Sequence, residues 1–228
     1  LEAAKRLFLE QGYQGVSMDH IAAAAGVSKL TVYSHFGDKE TLFSAAITAK
    51  CQDVLPDELF VRPPEGPLRE QLRAIGHAFF ALITSEEAIA MHRMMNTPGT
   101  AENALRELFW NAGPRRVQDV FAQFLQARVA QGQLEVDDVA LASSQFFSLL
   151  KGELHPMMAC GLCLDPGPAA VARHIDATVD FFLRAHAALA GQPQPPATGG
   201  RGDFRHCVGR AGHGDPCRQA AVRPGRMP

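Results

Sequence analysis

Residues 17–39 contain hydroxyl, phenol, imidazole and ammonium side chains, which are groups that bind phosphates and base edges. On a helical wheel of residues 29–36, Val32 and Phe36 share one face, and the opposite face centres on Leu30 and its polar neighbours. That outer face is short and mostly polar, so it fits the major groove of DNA. The predicted DNA contacts are Ser17, Ser28, Lys29, Leu30, Thr31, Tyr33, Ser34, His35 and Lys39.

The predicted contacts divide by chemistry. Thr31 and Ser34 can bond base edges or phosphates, while Tyr33 and His35 flank them at positions suited to phosphate. Lys39 falls in the first turn of the next predicted helix, where the free backbone N–H groups also attract phosphate. The alternative is that these are ordinary exposed positions, but an apolar residue at the centre of an outer face favours a partner.

A second group that could do chemistry is the pair Cys160 and Cys163, whose spacing suits redox sensing or metal binding. Zinc needs about four ligands, and only His155 lies near in sequence. The tail adds Cys207 and Cys217, with His206 and His213 close by. We favour two half-buried thiols at a helix end, and expect no metal and no cofactor.

Glycines and capping residues predict a set of short helices around the DNA-binding residues. Ser17, Ser28 and Asp38 are expected N-caps, and Gly12 and Gly26 are expected helix ends. Two helices of about eight residues that meet at a glycine-containing turn are typical of a helix-turn-helix. A fourth helix over 38–52 would connect this unit to the rest of the chain.

The first 47 residues or so resemble the TetR family of bacterial transcriptional regulators. The resemblance rests on Leu1–Phe8, Gly12-Tyr13, Ser17–Lys29, Thr31–Phe36 and Lys39–Phe43. It implies that the third helix contacts DNA, with phosphate contacts from Tyr33, His35 and Lys39. It also implies a homodimer on a near-palindromic operator and a C-terminal domain for ligand binding and dimerisation, with a weaker likeness to the AefR-like branch over 140–156.

The fold class that we predict is all-α, with an N-terminal three-helix helix-turn-helix domain and a C-terminal helical bundle. No alternating strand pattern bounded by turns occurs. The predicted helices of the bundle cover 68–84, 86–96, 100–131 with a kink at Gly113-Pro114, 137–160 ending or kinked at His155-Pro156, and 168–190. The predicted domains are 1–47 for DNA binding, 48–190 for ligand binding and dimerisation, and 191–228 as a disordered Gly/Pro/Arg-rich tail.

Bulky apolar residues of the bundle suggest an adaptable cavity, although a plain helical core would use the same residues. The predicted ligand contacts are Phe79, Met91, His92, Met95, Trp110 and Phe124. The family implies that the last two helices form a four-helix dimer interface. The predicted interface residues are Ser143, Phe146, Phe147, Leu150, Ile175, Val179 and Phe182.

Charge and composition limit the function classes. The chain carries a net charge of −2, so DNA binding must depend on a local surface. Residues 1–55 hold five basic and six acidic residues, which implies weak binding by a monomer and a shallow salt dependence. An odd number of cysteines, five, favours a reducing cytoplasmic location, and we expect no membrane span.

The function that we predict is a DNA-binding repressor released by a small apolar or amphipathic effector. No nucleophile elbow, phosphate-binding glycine loop or zinc-protease pattern occurs, so we do not expect an enzyme. Two alternatives stay open. One is a small-molecule binder or enzyme with a vestigial helix-turn-helix, and the other is a thiol or metal sensor that uses Cys160 and Cys163.

Overall fold

The protein is described by a computed structural model that covers residues 1–61, 66–96 and 103–188. The N-terminal helices are α1 (Glu2–Gly15), α2 (Met18–Ala25), α3 (Lys29–Phe36), α4 (Lys39–Val54) and α5 (Glu58–Val61). The remaining helices are α6 (Leu68–Thr84), α7 (Glu86–Asn96), α8 (Asn103–Trp110), a π-helical turn (Asn111–Arg115), α9 (Arg116–Ala130), α10 (Val139–Lys151), α11 (Leu154–Ala159) and α12 (Pro168–Ala185). The predicted disordered tail, 191–228, lies outside the described residues.

The three predicted N-caps are confirmed by their hydrogen bonds. The Ser17 hydroxyl accepts the His20 N–H at 3.1 Å, and the Ser28 hydroxyl accepts the Thr31 N–H at 3.0 Å. The Asp38 carboxylate accepts a backbone N–H in the first turn of α4 at 2.7 Å, and this bond lowers the pKa of Asp38. Each cap satisfies an N–H group that has no partner within its helix, so the short helices begin where predicted.

The bundle helices agree with the predictions at two places and differ at a third. The predicted helices 68–84 and 86–96 match α6 and α7. The helix predicted over 137–160 is broken, but the predicted position of the break at His155-Pro156 is wrong: Gly152, with a φ of 47°, divides the segment into α10 and α11. His155 and Pro156 lie in the first turn of α11, where proline costs no helical hydrogen bond.

The predicted kink at Gly113-Pro114 is a π-helical turn between α8 and α9. Pro114 has no N–H to donate. The wider π-helical turn accommodates the proline ring and the missing hydrogen bond, so the chain continues as a helix into α9. The predicted helix over 168–190 ends earlier, at Ala185, where α12 is capped by the His186 N–H bonding to Phe182. Residues 100–102 and 189–190 of the predicted spans lie outside the described part of the chain.

Two hydrophobic clusters form the interior of one compact unit, residues 1–189. The first cluster combines buried residues of α1, α2, α3 and α4, and it also includes Met91, Met95 and Leu105 from the bundle. The second is centred on Phe121 and Phe146. Because bundle residues complete the first cluster, the helix-turn-helix and the bundle share a packed interface. The predicted domain boundary at residue 47 stays a prediction.

All the secondary-structure elements of the described residues are helices. One isolated β-bridge joins Leu134 to Ala187, and no strand occurs in this part of the chain. No single helix among them is long and apolar enough to cross a membrane. The pair α6 and α7, which is bent by 62°, reaches that length and composition when its helices are taken together.

Candidate DNA-binding surface and ligand cavity

The turn between α2 and α3 fixes the angle at which α3 is presented. Gly26 ends α2 in the left-handed conformation, with φ 67° and ψ 28°, where a side chain would be strained. The N–H of Val27 donates to the carbonyl of Ala22 at 3.1 Å, which is the bond of a Schellman cap. Ile21 and Val32 are buried behind the turn, so the two helices share one packed interior.

The outer face of α3 is arranged as the helical wheel predicts. Val32 is buried and Phe36 is partly buried, whereas Leu30 is 78% exposed. Tyr33, Ser34 and His35 are also exposed. A helix of eight residues with this face free can enter a major groove. Contact with DNA at these residues stays a prediction.

Three hydroxyls on this surface are held by local hydrogen bonds. The oxygens of Ser28 and Thr31 lie 2.7 Å apart, and the Ser34 hydroxyl donates to the carbonyl of Thr31 at 2.9 Å. The Ser17 oxygen accepts a backbone N–H as the cap of α2, so its own proton remains available to a phosphate oxygen. By contrast, the Ser34 hydroxyl already donates to the Thr31 carbonyl, so it must break that bond before it can donate to a base.

The two cations of the surface differ in their surroundings. Lys29 forms an ion pair with Asp19 at 2.8 Å, and both side chains are mostly exposed. Lys39 has no carboxylate partner among the described residues, and its ammonium lies 4.2 Å from the centre of the Tyr13 ring. Burial lowers the pKa of Lys39, and the aromatic ring holds the cation in place.

Tyr13 is a positioning residue that the predicted contacts omit. Its ring packs edge-on to Phe43 at 5.2 Å, and Phe43 packs edge-on to Phe8 at the same distance. These aromatic contacts connect the Tyr13 ring, which lies under Lys39, to the buried faces of α1 and α4. The Gly12-Tyr13 pair is a sequence signal for it.

Helix α4 connects the DNA-binding surface to the bundle. Its N-cap and Lys39 lie beside α3, and its middle packs against the π-helical turn. The Thr48 hydroxyl donates to the carbonyl of Ala112 at 3.0 Å. A Cβ at Gly113 would lie 3.2 Å from Ile47, so glycine allows this close approach.

A cavity of about 150 Å³ lies where α4 meets the bundle. It is lined by residues from α1, α4, α6, α7, α8, α9, α10 and α11 and from the π-helical turn. Its apolar walls come from Phe8, Leu9, Ala46, Ile47, Phe79, Leu82, Ile83, Ala88, Met91, Phe109, Pro114, Val117 and Phe147. Its polar and small groups are Lys5, Lys50, Cys51, Glu87, His92, Gly113, Gln118, Lys151 and His155.

The cavity includes three of the six residues predicted to contact a ligand: Phe79, Met91 and His92. The other three lie elsewhere. Met95 is buried in the N-terminal cluster, and Phe124 is buried beneath the Arg128 guanidinium, 4.7 Å from its ring centre. Trp110 is 46% exposed on the surface. His155 and Lys151, which the prediction omits, line the cavity.

The predicted dimer-interface residues lie inside the protomer, which corrects that prediction. Ser143, Phe146, Phe147, Leu150, Ile175, Val179 and Phe182 are all buried within the single chain. The Ser143 hydroxyl, for example, donates to the carbonyl of Gln118 in α9 at 2.8 Å. The same two helices expose other apolar side chains, namely Leu141 and Leu149 on α10 and Phe181 on α12.

The cysteines have different environments. Cys160 is exposed and Cys163 is partly buried, and both are free thiols. Burial raises the pKa of Cys51 to about 11, so this thiol of the cavity wall stays protonated and unreactive. Within 1–61, 66–96 and 103–188, no three His, Cys, Asp or Glu side chains are grouped to hold a metal. Cys207, Cys217, His206 and His213 lie outside those ranges.

Comparison with known proteins finds two matching family models. Residues 1–46 match the model for bacterial regulatory proteins of the tetR family. Residues 70–188 match the model for the C-terminal domain of AefR-like transcriptional repressors. The flavonoid-responsive regulator FrrA, a solved structure, is 36% identical with a TM-score of 0.64, over 83% of this chain and 95% of that chain.

Two curated relatives match over shorter stretches of the chain. The transcriptional repressor AcnR of Corynebacterium glutamicum is 36% identical over 76 residues, which cover 32% of this chain and 40% of AcnR. The transcriptional activator FasR of Mycolicibacterium smegmatis is 35% identical over 83 residues, which cover 36% of this chain and 38% of FasR. The chain thus spans about two fifths of the length of these curated relatives.

Proposed function

The chain belongs to the TetR family of bacterial transcriptional regulators, and from this premise we propose that it is a homodimeric repressor whose operator is released when a small effector fills the cavity. Residues 1–47 would bind DNA, and residues 48–190 would bind the effector and dimerise. The protein would act in the cytoplasm, where its operator lies.

One observation carries this proposal: a single helix belongs to both sites. The first turn of α4 holds Lys39 beside α3, and Ala46, Ile47 and Cys51 of the same helix line the cavity. An effector that presses on this wall moves α4 as a rigid rod and carries α3 with it. Because a dimer must match two half-sites about one DNA turn apart, a small displacement of each α3 lowers operator affinity.

The charge of the N-terminal region supports a dimer on the operator. Residues 1–55 carry a net charge of −1, and Lys29 is paired with Asp19. Few cations per protomer therefore face phosphate, so tight binding requires two protomers on one DNA. A near-palindrome of two half-sites meets that requirement.

The exposed apolar faces of α10 and α12 provide the surface for dimerisation. Leu141 and Phe181 are each 54% exposed, and Leu149 is 39% exposed. The buried faces of the same helices pack within the protomer, so a partner would meet only these outer side chains. Pairing two copies of both helices would form a four-helix interface around them.

The proposed sign of regulation and the proposed type of effector follow from different observations. The C-terminal region matches the AefR-like repressor model, which supports repression, although FasR is an activator. The apolar lining of the cavity supports a small apolar or amphipathic effector.

A gel-shift titration tests the proposal. The full chain is titrated against DNA that flanks its own gene, with a scrambled duplex of equal length as the control. A specific shift that saturates at one or two dimers supports an operator-binding regulator. A folded dimer with no preference over the scrambled duplex, for the flanking DNA or for sequences selected from a random pool, would contradict it and favour a small-molecule binder with a vestigial helix-turn-helix.

A further inference from the structure

The cavity combines an apolar interior with basic groups at its mouth. Phe79, Met91 and Phe147 form part of the interior, while Lys151 and His92 belong to the exposed residues at its edge. His155 lies deeper and is buried. A ligand that fits both parts has an apolar body and a polar head.

Of the three lysines in the lining, two are already paired with carboxylates. Lys5 forms ion pairs with Asp53 at 2.5 Å and Glu2 at 2.7 Å. Lys50 lies 3.6 Å from Glu87, the acidic residue of the lining. These pairs leave little net charge on their side of the cavity.

Lys151 differs, because no carboxylate lies within ion-pair distance of it in the described part of the chain. Its ammonium is partly desolvated, which lowers the pKa of Lys151. A cation in that position is stabilised by an anion that enters the cavity.

Two histidine rings belong to the same lining as this ammonium, and its charge acts on both of them. The rings of His92 and His155 meet edge to face, with their centres 5.7 Å apart. Neither ring nitrogen of His155 has a hydrogen-bond partner among the described residues. Burial and the charges of His92 and Lys151 lower the pKa of His155 to about 4, so the ring is neutral at pH 7 and can donate one N–H.

The volume limits the body of the ligand. A cavity of about 150 Å³ lined by apolar side chains accepts a molecule of roughly the size of benzene. The interior therefore suits one aromatic ring or a short acyl chain.

We infer that the effector is a small organic anion: a carboxylate with a single-ring or short-chain apolar body, its head held by Lys151, His155 and His92. This inference rests on the proposed function, in which the cavity is the effector site. A charged head distinguishes this ligand from a neutral apolar effector, which would leave the Lys151 ammonium without a partner.

The test measures binding to the full chain by calorimetry, in the absence of DNA. The probes are benzoate, phenylacetate and octanoate, each paired with its primary amide, which has the same shape but no charge. At least one acid is expected to bind about tenfold more tightly than its amide, because a hydrogen bond to a charged group is stronger than one between neutral groups. Equal binding of acid and amide, or no binding by any acid, would overturn the inference.

Variants assign the preference to Lys151. Lys151→Met keeps most of the stem and removes the charge, so it should abolish the preference for acid over amide. Lys151→Arg should retain it, and so should Arg6→Gln, which removes a cation outside the lining. Because Lys151 lies at the mouth, unfolding temperatures should stay close to that of the wild type; a preference that persists in a folded Lys151→Met protein would overturn the assignment.

A gel shift with and without the bound acid separates this inference from the proposed function. An acid that binds through Lys151 but leaves operator affinity unchanged supports the ligand class and contradicts the effector role. If only neutral molecules bind and release the operator, the proposed function stands and the anion is wrong.

Discussion

The helix-turn-helix and the cavity are built from interactions of different range. The Ser28 hydroxyl caps its own helix three residues away, and Ser34 bonds back to Thr31 within the same helix. The cavity instead brings Lys5, near the beginning of the chain, into one lining with Lys151 and His155.

The two sites can therefore be altered separately, except along α4. Substitutions on the outer face of α3 leave the packing of the bundle intact, because those side chains are exposed. Substitutions on α4 touch both sites, since Lys39 and Ile47 lie on one helix.

The largest effect is expected for the proposed dimer face. Phe181→Glu places a charge on that face and should convert the dimer to monomers, as measured by light scattering. Operator affinity should fall by roughly a hundredfold or more, because the second half-site no longer benefits from being linked to the first. The protomer should stay folded, since Phe181 is 54% exposed.

Leu164→Glu is the matched control for that substitution. Leu164 is an apolar residue that is 88% exposed in the loop between α11 and α12, so it belongs to neither of the two helices of the proposed interface. It should remain a dimer and bind the operator normally. A dimeric Phe181→Glu protein would show that the interface lies elsewhere.

A pH effect should arise in the cavity region. Burial lowers the pKa of His155 to about 4, below its ordinary value of 6.5. Between these values the unfolded chain binds a proton that the folded chain does not, so stability should fall as the pH drops from about 6.5 to about 4. The loss approaches about 3 kcal/mol.

Denaturant unfolding at a series of pH values measures this loss. His155→Phe should remove most of the slope in that pH window, because the phenyl ring cannot take up a proton. An unchanged slope in the variant would assign the acid sensitivity to other groups.

Substitution of Tyr33, the exposed tyrosine of α3, should affect DNA binding but neither the oligomeric state nor the stability. Tyr33→Ala removes a phosphate contact and should weaken operator binding by about 0.5–1.5 kcal/mol per protomer. The oligomeric state and unfolding temperature should not change, because Tyr33 is exposed. Tyr33→Phe separates the hydroxyl from the ring, and wild-type affinity in both variants would remove Tyr33 from the interface.

A smaller effect is expected at Lys39. Lys39→Gln should weaken specific and non-specific DNA binding alike, and should reduce the slope of log affinity against log salt by about one per protomer. Tyr13→Leu, which removes the ring 4.2 Å from the ammonium, should weaken binding less than Lys39→Gln does. A loss confined to the operator sequence would instead indicate base readout by Lys39.

The parts of the fold that sequence predicts best are those encoded locally. The caps at Ser17, Ser28 and Asp38 depend on a hydroxyl or carboxylate and a backbone N–H only three residues away. The inward and outward positions of α3 follow from helical periodicity alone. Membership of the family could be read from the same short segment.

The parts that depend on tertiary packing could not be predicted in this way. Periodicity identifies Phe146 and Phe182 as apolar, but it does not reveal whether they meet their own chain or a partner. The same limit applies to Met95 and Phe124, because the hydrophobic clusters that bury them are completed by residues of other helices. The break in the helix over 137–160 is at Gly152 rather than at Pro156, because a proline in a first helical turn costs little.

The central claim is that the cavity and the DNA-binding surface are coupled through α4, and filling the cavity by substitution tests it most directly. Ala88 of α7 is a small, half-buried residue of the lining, and Ala90 of the same helix is exposed and outside the lining. Operator affinity is measured by gel shift for Ala88→Trp and for its control, Ala90→Trp. We expect a folded Ala88→Trp dimer with operator affinity reduced about tenfold, and an Ala90→Trp dimer that binds like the wild type. Wild-type operator affinity in a folded Ala88→Trp dimer would contradict the coupling.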